Sequence, residues 1–153
     1  MSLTLRAYQS EDLPTLYAID QACYPPGIAY SKRMLRWFLE RGGAQCLIAE
    51  MDGKIAGFVL ADQEDESAHL ITIDVLSSHR RRGVATALLD TLEHTLAARG
   101  VHRVELETAI DNHPGIAFWK KHGYRTLDVL QRYYLDRIDA YSMYKSLSSG
   151  KES

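Results

Sequence analysis

The pattern of apolar and polar residues predicts short strands and amphipathic helices in the order β-α-α-β-β-β-α-β-α-β-β. The predicted strands cover residues 3–7, 45–51, 54–61, 68–75, 101–108, 125–130 and 140–147. The predicted helices cover residues 10–23, 31–41, 84–99 and 114–122. This mixture predicts an α/β fold, with a mixed and mostly antiparallel sheet flanked by helices.

The strongest local signals mark the ends of these elements. Ser10 is a candidate helix cap, because acidic residues and a proline follow it in the first turn. Asp52-Gly53 predicts a two-residue hairpin turn, and Gly100 stands where the residue after a helix end is expected. The helix over residues 84–99 connects two strands as a crossover, so those strands should be parallel.

Length and charge limit the class of protein. The chain has 153 residues, of which 18 are basic and 20 acidic, and its formal charge is −2. This length predicts one domain over residues 1–147, followed by a flexible polar tail over residues 148–153. The charge balance argues against direct binding of nucleic acid through its phosphates. Since no apolar run approaches the roughly 20 residues that span a bilayer, and no signal peptide is evident, we expect a cytoplasmic protein without a membrane partner.

The sequence predicts neither a metal site nor a disulfide. Cys23 and Cys46 form no disulfide framework and no metal-binding motif, and we expect both to be small buried hydrophobic residues. The six histidines are scattered without the spacing of metal ligands.

One segment carries candidate chemistry: Arg80-Arg81-Arg82-Gly83-Val84-Ala85, where a short basic loop enters the third helix. Backbone amides at the start of a helix have no partner within it, and the helix dipole favours an anion there. Gly83 and Ala85 would let an anion approach the backbone closely, which is typical of a seat for a pyrophosphate group. The alternative is a solvated arginine run before an ordinary helix. The pattern matches neither the P-loop nor the three-glycine dinucleotide motif.

This segment resembles the Gln/Arg-x-x-Gly-x-Gly/Ala signature of the GCN5-related N-acetyltransferases, the GNAT family. Ile73-Asp74-Val75 before it and Ala117-Phe118-Trp119-Lys120-Lys121-His122-Gly123-Tyr124 after it strengthen the match. Within the family, Arg132-Tyr133-Tyr134 and Asp139-Ala140-Tyr141-Ser142-Met143 are similar to pieces of the RimI-type protein N-terminal acetyltransferases. The resemblance covers nearly the whole chain and implies the GNAT fold.

The resemblance implies that acetyl-coenzyme A is the co-substrate. Its pantetheine arm would pair with the backbone of Ile73, Asp74 and Val75 like an added strand. Its pyrophosphate would bind the loop and first helical turn, which comprise Arg80, Arg81, Arg82, Gly83, Val84, Ala85 and Thr86. Asn112 would hydrogen-bond the cofactor, although an Asn before His-Pro also fits turn chemistry. Trp119 would pack against the thioester.

The implied reaction is acetyl transfer to a primary amine by direct attack in a ternary complex. Glu107 is the candidate base, since a carboxylate near the amine can accept its proton. Glu105 and Glu107 lie two apart on a predicted strand and should share a face, so two exposed carboxylates beside Arg103 are the alternative. A backbone amide near Val75 would stabilise the oxyanion.

The chain departs from the RimI pattern at Trp119, where those enzymes carry a tyrosine thought to protonate the leaving thiolate. An indole N–H donates hydrogen bonds but is no practical proton donor. Tyr134 is therefore the candidate acid, with Tyr124 and Tyr133 as alternatives, unless the thiolate leaves unaided.

Tyr24, Tyr30 and Tyr133 are the candidate acceptor-binding residues, on the two sides of a groove. The preferred acceptor is a protein or peptide N-terminal α-amine, whose pKa of about 8 lies below the value of about 10.4 for lysine. A small-amine or lysine acetyltransferase and a non-catalytic acyl-coenzyme A-binding module are the alternatives. We expect a monomer or a homodimer.

Overall fold

The computed structural model describes residues 2–147, and the predicted polar tail over residues 148–153 lies outside them. The described strands are β1 (Leu3–Ala7), β2 (Ala44–Met51), β3 (Lys54–Glu64), β4 (Ser67–Val75), β5 (Arg103–Ala109), β6 (Arg125–Tyr134) and β7 (Ile138–Ser146). The described α-helices are α1 (Leu13–Cys23), α2 (Lys32–Leu39), α3 (Val84–Ala98) and α4 (His113–Lys121). Their sequence along the chain confirms the predicted order of elements.

The strands form one sheet in the order β1-β2-β3-β4-β5-β7-β6. Neighbouring strands are antiparallel except β4 and β5, which are parallel and are joined through α3. A parallel pair needs such a crossover, because the chain must return to the end of the sheet at which the first strand started. Both the mixed, mostly antiparallel sheet and the predicted crossover are confirmed.

Helices cover both faces of the sheet, and each face has its own apolar core. On one face, Leu88, Leu92 and Leu96 of α3 are buried against the strands. On the other face, Leu16 of α1 and Leu35 of α2 are buried. The four-residue spacing of the α3 leucines forms one apolar stripe, and burying each such side chain stabilises the fold by about 1.5–3 kcal/mol.

The start of α1 differs from the prediction. Ser10 is not the cap; it lies in a 3-10 turn, Ser10–Asp12, and Asp12 accepts the backbone N–H of Gln9 at 2.8 Å. Arg6 donates two hydrogen bonds to the same carboxylate, each 2.9 Å long. An ion pair, and not a serine hydroxyl, therefore fixes the entry to this helix.

Two other predicted helix ends are confirmed. Ser31 caps α2, since its side chain accepts the backbone N–H of Met34 at 3.1 Å. Gly100 follows the last residues of α3 with a φ of +89°, the left-handed conformation expected after a helix end.

Two strands run further than the sequence predicts. β3 continues to Glu64, because its polar end stays paired with β4 as far as Ser67. β6 continues to Tyr134, with irregular pairing after Leu130. Tyr133 and Tyr134 therefore lie at the end of a hairpin and not on a free loop.

The functional geometry starts at the junction of β4 and β5. The two strands pair only where residues 67–69 face residues 103–105. Beyond His69 they diverge, although β4 continues to Val75 and β5 to Ala109. The facing backbone edges of these outer halves do not bond to each other, so a ligand can enter between them.

Candidate active site

The gap between the diverging strands is a narrow cleft that is partly open to solvent. The strands supply its walls, and the loop after α1 and the end of β6 lie over it. The lining residues are Tyr24, Ile28, Tyr30, Leu70, Ile71, Thr72, Ile73, Leu106, Glu107, Thr108, Ala109, Asn112, Trp119 and Tyr134. Residues predicted for catalysis, for the cofactor and for the acceptor thus meet in one place.

The start of α3 has the backbone geometry of an anion site. Gly83 is the N-cap, with a φ of +79° and no side-chain cap on the first turn. The bond from Ala87 N to Gly83 O, 3.0 Å long, opens the helix, so the amides of residues 84–86 point out of its end. Arg81 also has a positive φ, of 65°, and such alternation of backbone hand makes a concave nest of N–H groups. A Cβ on Gly83 would meet no atom within 4 Å, so the space beside this residue is open.

The arginines of the basic loop do not act as one patch. Arg80 turns back toward the sheet, where its Nε donates to the Val75 carbonyl at 3.1 Å and its Nη2 lies 3.8 Å from Cys23 Sγ. The guanidinium of Arg80 therefore lies against the end of β4. Its contact with a pyrophosphate stays a prediction. Cys23 is only partly buried, contrary to expectation, because its thiol faces this end of the strand. Cys46 is likewise partly buried.

Ile73 and Val75 turn their backbone groups to the open edge of β4. Leu76 N donates to Ala56 O at 2.9 Å on the β3 side, and backbone groups alternate in direction along a strand. Residues 73 and 75 therefore point their N–H and C=O groups away from β3. Tyr24 Oη donates to the Ile73 carbonyl at 3.1 Å from the open side. This is the orientation that pairing with an extended pantetheine arm requires.

Asp74 does not face the cleft, contrary to the prediction for the three-residue segment. Its side chain is buried, is not among the residues that line the cleft, and accepts the hydroxyl of Thr72 at 2.6 Å. Its register partner on β3 is Phe58, so its backbone groups are directed into the sheet. The alternation of a strand places its two neighbours at the cleft and Asp74 away from it.

A second cavity joins the start of α3 to the cleft. Its lining residues are Cys23, Tyr24, Ile73, Val75, Arg80, Ala85, Asn112, Pro114, Gly115, Phe118 and Trp119. Because Asn112 and Trp119 line both cavities, an elongated ligand can run from the helix end to the gap between the strands. Asn112 caps α4, with its Oδ1 accepting Gly115 N at 3.1 Å. The turn chemistry foreseen as an alternative therefore uses the oxygen of this residue.

Trp119 forms part of the wall where the two cavities meet. The side chain is nearly buried and packs edge-to-face on Tyr124, with ring centroids 5.3 Å apart. The indole can therefore contact a thioester from the core side of the cleft, while its N–H remains unsuited to proton donation.

Glu107 pairs with a residue that the motif analysis did not single out. His69 Nε2 and Glu107 Oε1 lie 2.6 Å apart, and the two side chains are 46% and 22% exposed. His69 is the last residue of β4 that pairs with β5, so the side-chain pair bridges the strands where they begin to separate. The hydrogen bond to Glu107 raises the pKa of His69.

From the sequence, Glu105 and Glu107 could both be exposed carboxylates paired with Arg103. In the structure, Glu105 has this role. It accepts Arg103 Nε at 2.7 Å. Val104 and Leu106 are buried, and Glu105 and Glu107 alternate with them on the less buried face. The two carboxylates are distinguished by their partners: an arginine neutralises one, and a titratable imidazole contacts the other.

The tyrosines proposed as proton donors differ in position. Tyr134 Oη lies 3.5 Å from the backbone oxygen of Glu107, and Tyr133 Oη lies 3.4 Å from its Oε1. Tyr124 is turned away from the cleft, because its hydroxyl donates to Glu93 of α3 at 2.7 Å. This geometry removes Tyr124 from the alternatives.

The acceptor side is formed by two segments in contact. The loop between α1 and α2 holds Tyr30, whose N–H donates to Asp20 at 2.7 Å and whose carbonyl accepts Gln21 at 2.8 Å. Gly27 in the same loop has a φ of +91°, and a Cβ there would overlap Leu135 of the β6–β7 hairpin. The groove beside this contact is lined by Gly27, Ile28, Ala29, Tyr30, Ser31, Met34, Ile71, Glu107, Tyr133 and Tyr134.

Residues 2–147 contain neither a metal-binding cluster nor a membrane-spanning helix. Within that range, no group of three or more His, Cys, Asp or Glu side chains is arranged to hold a metal ion. No helix in the same range combines the length and apolar character needed to cross a bilayer.

Comparison with known sequences identifies the family. The sequence profile of the Acetyltransferase (GNAT) family matches residues 13–124. That range contains the start of α3, His69 and Glu107. The chain belongs to the GNAT family of acetyltransferases. The protein is therefore an acyltransferase, as the resemblance of its motifs predicts.

GNAT relatives match most of the chain. The N-terminal acetyltransferase A complex catalytic subunit NAA10 of Arabidopsis thaliana is 30% identical over 97% of this chain and 80% of its own length. An N-alpha-acetyltransferase of Saccharolobus solfataricus is 26% identical over 94% of this chain and 93% of its own. The crystal structure of the ribosomal-protein-S18-alanine N-acetyltransferase from Escherichia coli gives a TM-score of 0.88 at 27% identity, covering 96% of this chain and 95% of that one. The GNAT fold and the RimI-like similarity are confirmed.

His69 is the candidate functional residue that the motif analysis missed. It lies 38 residues before Glu107, and no local motif connects the two positions. The predicted parallel crossover could have indicated this pair, because it brings the first halves of β4 and β5 side by side. A search for polar residues on facing positions of those halves would have found the pair.

Proposed function

We propose that this GNAT protein transfers the acetyl group of acetyl-coenzyme A to the N-terminal α-amine of a protein or peptide. The observation that carries the proposal is the His69–Glu107 pair, 2.6 Å apart, in which Glu107 lines both the cleft and the acceptor groove. The relatives named as N-alpha-acetyltransferase and as the NAA10 catalytic subunit support this class of acceptor.

The residues present fit an elongated thioester that carries a diphosphate. The first turn of α3 offers outward amides beside Gly83, in open space that a Cβ would enter without meeting another atom. From there the second cavity leads past the backbone of Val75 and Ile73 to the cleft. Bound acetyl-coenzyme A would supply the acetyl group as an activated thioester, and the Val75 amide is the proposed donor to the oxyanion.

The His69–Glu107 pair can accept the proton that the amine must lose. An α-amine has a pKa of about 8 and a lysine amine one of about 10.4, so a chain terminus needs less help to become the free base. Glu107 accepts this proton, directly or through one water. The hydrogen bond between Glu107 and His69 lets the two side chains share it. Because His69 is about half exposed, the proton can pass from the pair to solvent.

Tyr134 is the proposed hydrogen-bond donor to the departing sulfur. It lines the same cleft as Glu107, and burial raises its pKa. Its hydroxyl therefore stays protonated at physiological pH and can donate. A thiol has a pKa of only about 8.5, so a hydrogen bond is sufficient and Trp119 need not supply a proton.

The contact between Gly27 and Leu135 supports a chain terminus as the acceptor. It joins the α1–α2 loop to the β6–β7 hairpin over the groove. The groove beside it has aromatic walls at Tyr30 and Tyr133. A passage narrowed in this way admits an extended chain end more readily than a lysine flanked by chain on both sides.

Two synthetic peptides of one sequence test this proposal. The first has a free N-terminus and an acetylated lysine, and the second has an acetylated N-terminus and a free lysine. We expect release of the coenzyme A thiol and a gain of one acetyl group, located by mass spectrometry on the α-amine, with the first peptide alone. Glu107→Gln measures background transfer. Transfer to the lysine peptide alone would overturn the acceptor class, and no thiol release with any amine would overturn the proposed reaction.

A further inference from the structure

A pair of carboxyl groups is buried between α1 and β4, and neither side chain lines the cleft. Asp20 lies in α1 and Asp74 in β4, and their side chains are 0% and 1% exposed. Charged side chains are almost never buried to this degree unless they are paired. Neither carboxyl is used in the transfer described above.

The hydrogen bonds of the two groups leave one oxygen on each to be explained. Asp20 Oδ2 accepts Tyr30 N at 2.7 Å, and Asp74 Oδ1 accepts the Thr72 hydroxyl at 2.6 Å. Asp20 Oδ1 and Asp74 Oδ2 are buried and receive no hydrogen from another group among residues 2–147. The helix that holds Asp20 packs against the strand that holds Asp74, and Asp20 acts on Asp74 as a hydrogen-bonding neighbour that raises its pKa. Two ionised carboxylates in that position would repel, while one proton between them would satisfy both oxygens.

The surroundings favour a single negative charge. Arg80 is the cation that acts on Asp74, but its guanidinium hydrogen-bonds to the Val75 carbonyl and not to the pair. The other titratable groups that face the pair are neutral thiols and phenols on α1, the loop after it and β2: Cys23, Tyr24, Tyr30 and Cys46. Burial raises the pKa of Asp74, and the neighbouring Asp20 raises it further.

We propose that Asp20 and Asp74 hold one proton between them, and that this acid–carboxylate bond positions the acceptor loop against the cofactor strand. One end of the linkage is the Tyr30 amide, beside the acceptor groove, and the other is Asp74, between the two cleft-facing residues of β4. The two sides of the reaction are thereby joined through a buried bond. Its effect on catalysis rests on the proposed function, whereas the shared proton does not.

The shared proton is tested by stability alone, without acetyl-coenzyme A or an acceptor. Free aspartate has a pKa of about 3.9, so above about pH 5 the unfolded chain has lost a proton that the native pair keeps. The unfolding equilibrium constant of the wild type should then rise about tenfold per pH unit relative to Asp74→Asn, until the pair itself ionises. The pair is an acid whose pKa is higher in the native state than in the unfolded chain, so the free energy of unfolding falls as the pH rises. Urea unfolding from pH 5 to pH 8 measures the ratio of the unfolding equilibrium constants of the wild type and Asp74→Asn.

The controls separate this effect from the loss of any carboxylate. Asp62→Asn removes an acid that forms an ion pair with Arg41 at 2.8 Å, and its curve should stay parallel to that of the wild type. Asp20→Asn replaces the other carboxyl group of the pair, and its stability should depend on pH in the same way as that of Asp74→Asn. The two variants provide a second measurement if one of them fails to fold. Infrared spectra should show a protonated carboxyl band in the wild type that is missing in both amide variants. A wild-type curve parallel to both amide variants, without that band, would overturn the shared proton.

The positioning role is tested by steady-state kinetics with the N-terminal peptide. Asp20→Ala leaves the Tyr30 amide without its acceptor, so KM for the peptide should rise about tenfold, with kcat within about twofold of the wild-type value. Asp20→Asn keeps an oxygen for that amide and should restore KM. A loss confined to kcat, or an Asp20→Asn variant as impaired as Asp20→Ala, would overturn the positioning role. If no amine is acetylated at all, the proposed function fails while the stability measurement still decides the shared proton.

Discussion

The anion seat at the start of α3 can be tested by placing one methyl group at each end of the same helix. Gly83 precedes the helix with a φ of +79°, and Gly100 follows it with a φ of +89°. A Cβ at either position would meet no other atom within 4 Å. Gly83→Ala and Gly100→Ala therefore impose the same backbone strain without a clash, and they differ only in what lies beside them.

The expected magnitudes follow from this match. A non-glycine residue in the left-handed region costs about 1–2 kcal/mol, which for a domain of this size corresponds to a Tm lower by roughly 2–8 °C. Both variants should show this loss. Only the methyl group at position 83 enters the proposed diphosphate seat, where losing one charge-assisted hydrogen bond costs about 1.5–3 kcal/mol. The Kd for acetyl-coenzyme A should therefore rise about 10- to 100-fold in Gly83→Ala.

Calorimetric titration of acetyl-coenzyme A, with Tm measured on the same samples, checks this prediction. Gly100→Ala should keep the wild-type Kd within about twofold despite its lower Tm. Gly83→Glu adds a negative charge at the same place and should bind more weakly than Gly83→Ala. Equal Kd values for Gly83→Ala, Gly100→Ala and the wild type would refute the seat.

Three further changes separate catalytic from structural roles. Tyr124→Phe removes the hydroxyl that donates to Glu93 at 2.7 Å, so urea unfolding should show a loss of about 1–2 kcal/mol with initial rates unchanged; a large drop in kcat would return Tyr124 to the candidate acids. Glu107 raises the pKa of His69, so in His69→Gln the decrease of kcat/KM at acid pH should begin at a lower pH than in the wild type. An unchanged pH profile would exclude His69 from the proton pathway. Trp119→Phe should keep kcat within about tenfold, since an indole does not supply the proton; a loss above about 100-fold would show that its N–H acts on the leaving group.

Much of the fold could be predicted because its signals are local. The stripe of leucines in α3, the Asp52-Gly53 turn and the glycine after α3 each act within a few residues. The basic loop before Gly83 was also found this way, since strand, loop and helix start are contiguous. Ser10 shows the limit of such signals, because the ion pair between Arg6 and Asp12 fixes the start of α1 instead.

The site itself depends on contacts that no local pattern contains. His69 meets Glu107 only because β4 and β5 are parallel and in a particular register. The prediction that the backbone of Asp74 pairs with the cofactor is wrong, because the motif names three consecutive residues, whereas the groups of a strand alternate in direction. Glu93 on α3, far away in the sequence, decides that Tyr124 is structural.

The role of Glu107 as the base is tested by the pH profile of kcat for wild type and Glu107→Gln with a free N-terminal peptide. Glu107→Gln should lower kcat by about 100-fold or more near neutral pH, with the Kd for acetyl-coenzyme A unchanged. The variant should recover partly at high pH, where the amine loses its proton without help. Full turnover by Glu107→Gln at every pH would show that Glu107 is not the base.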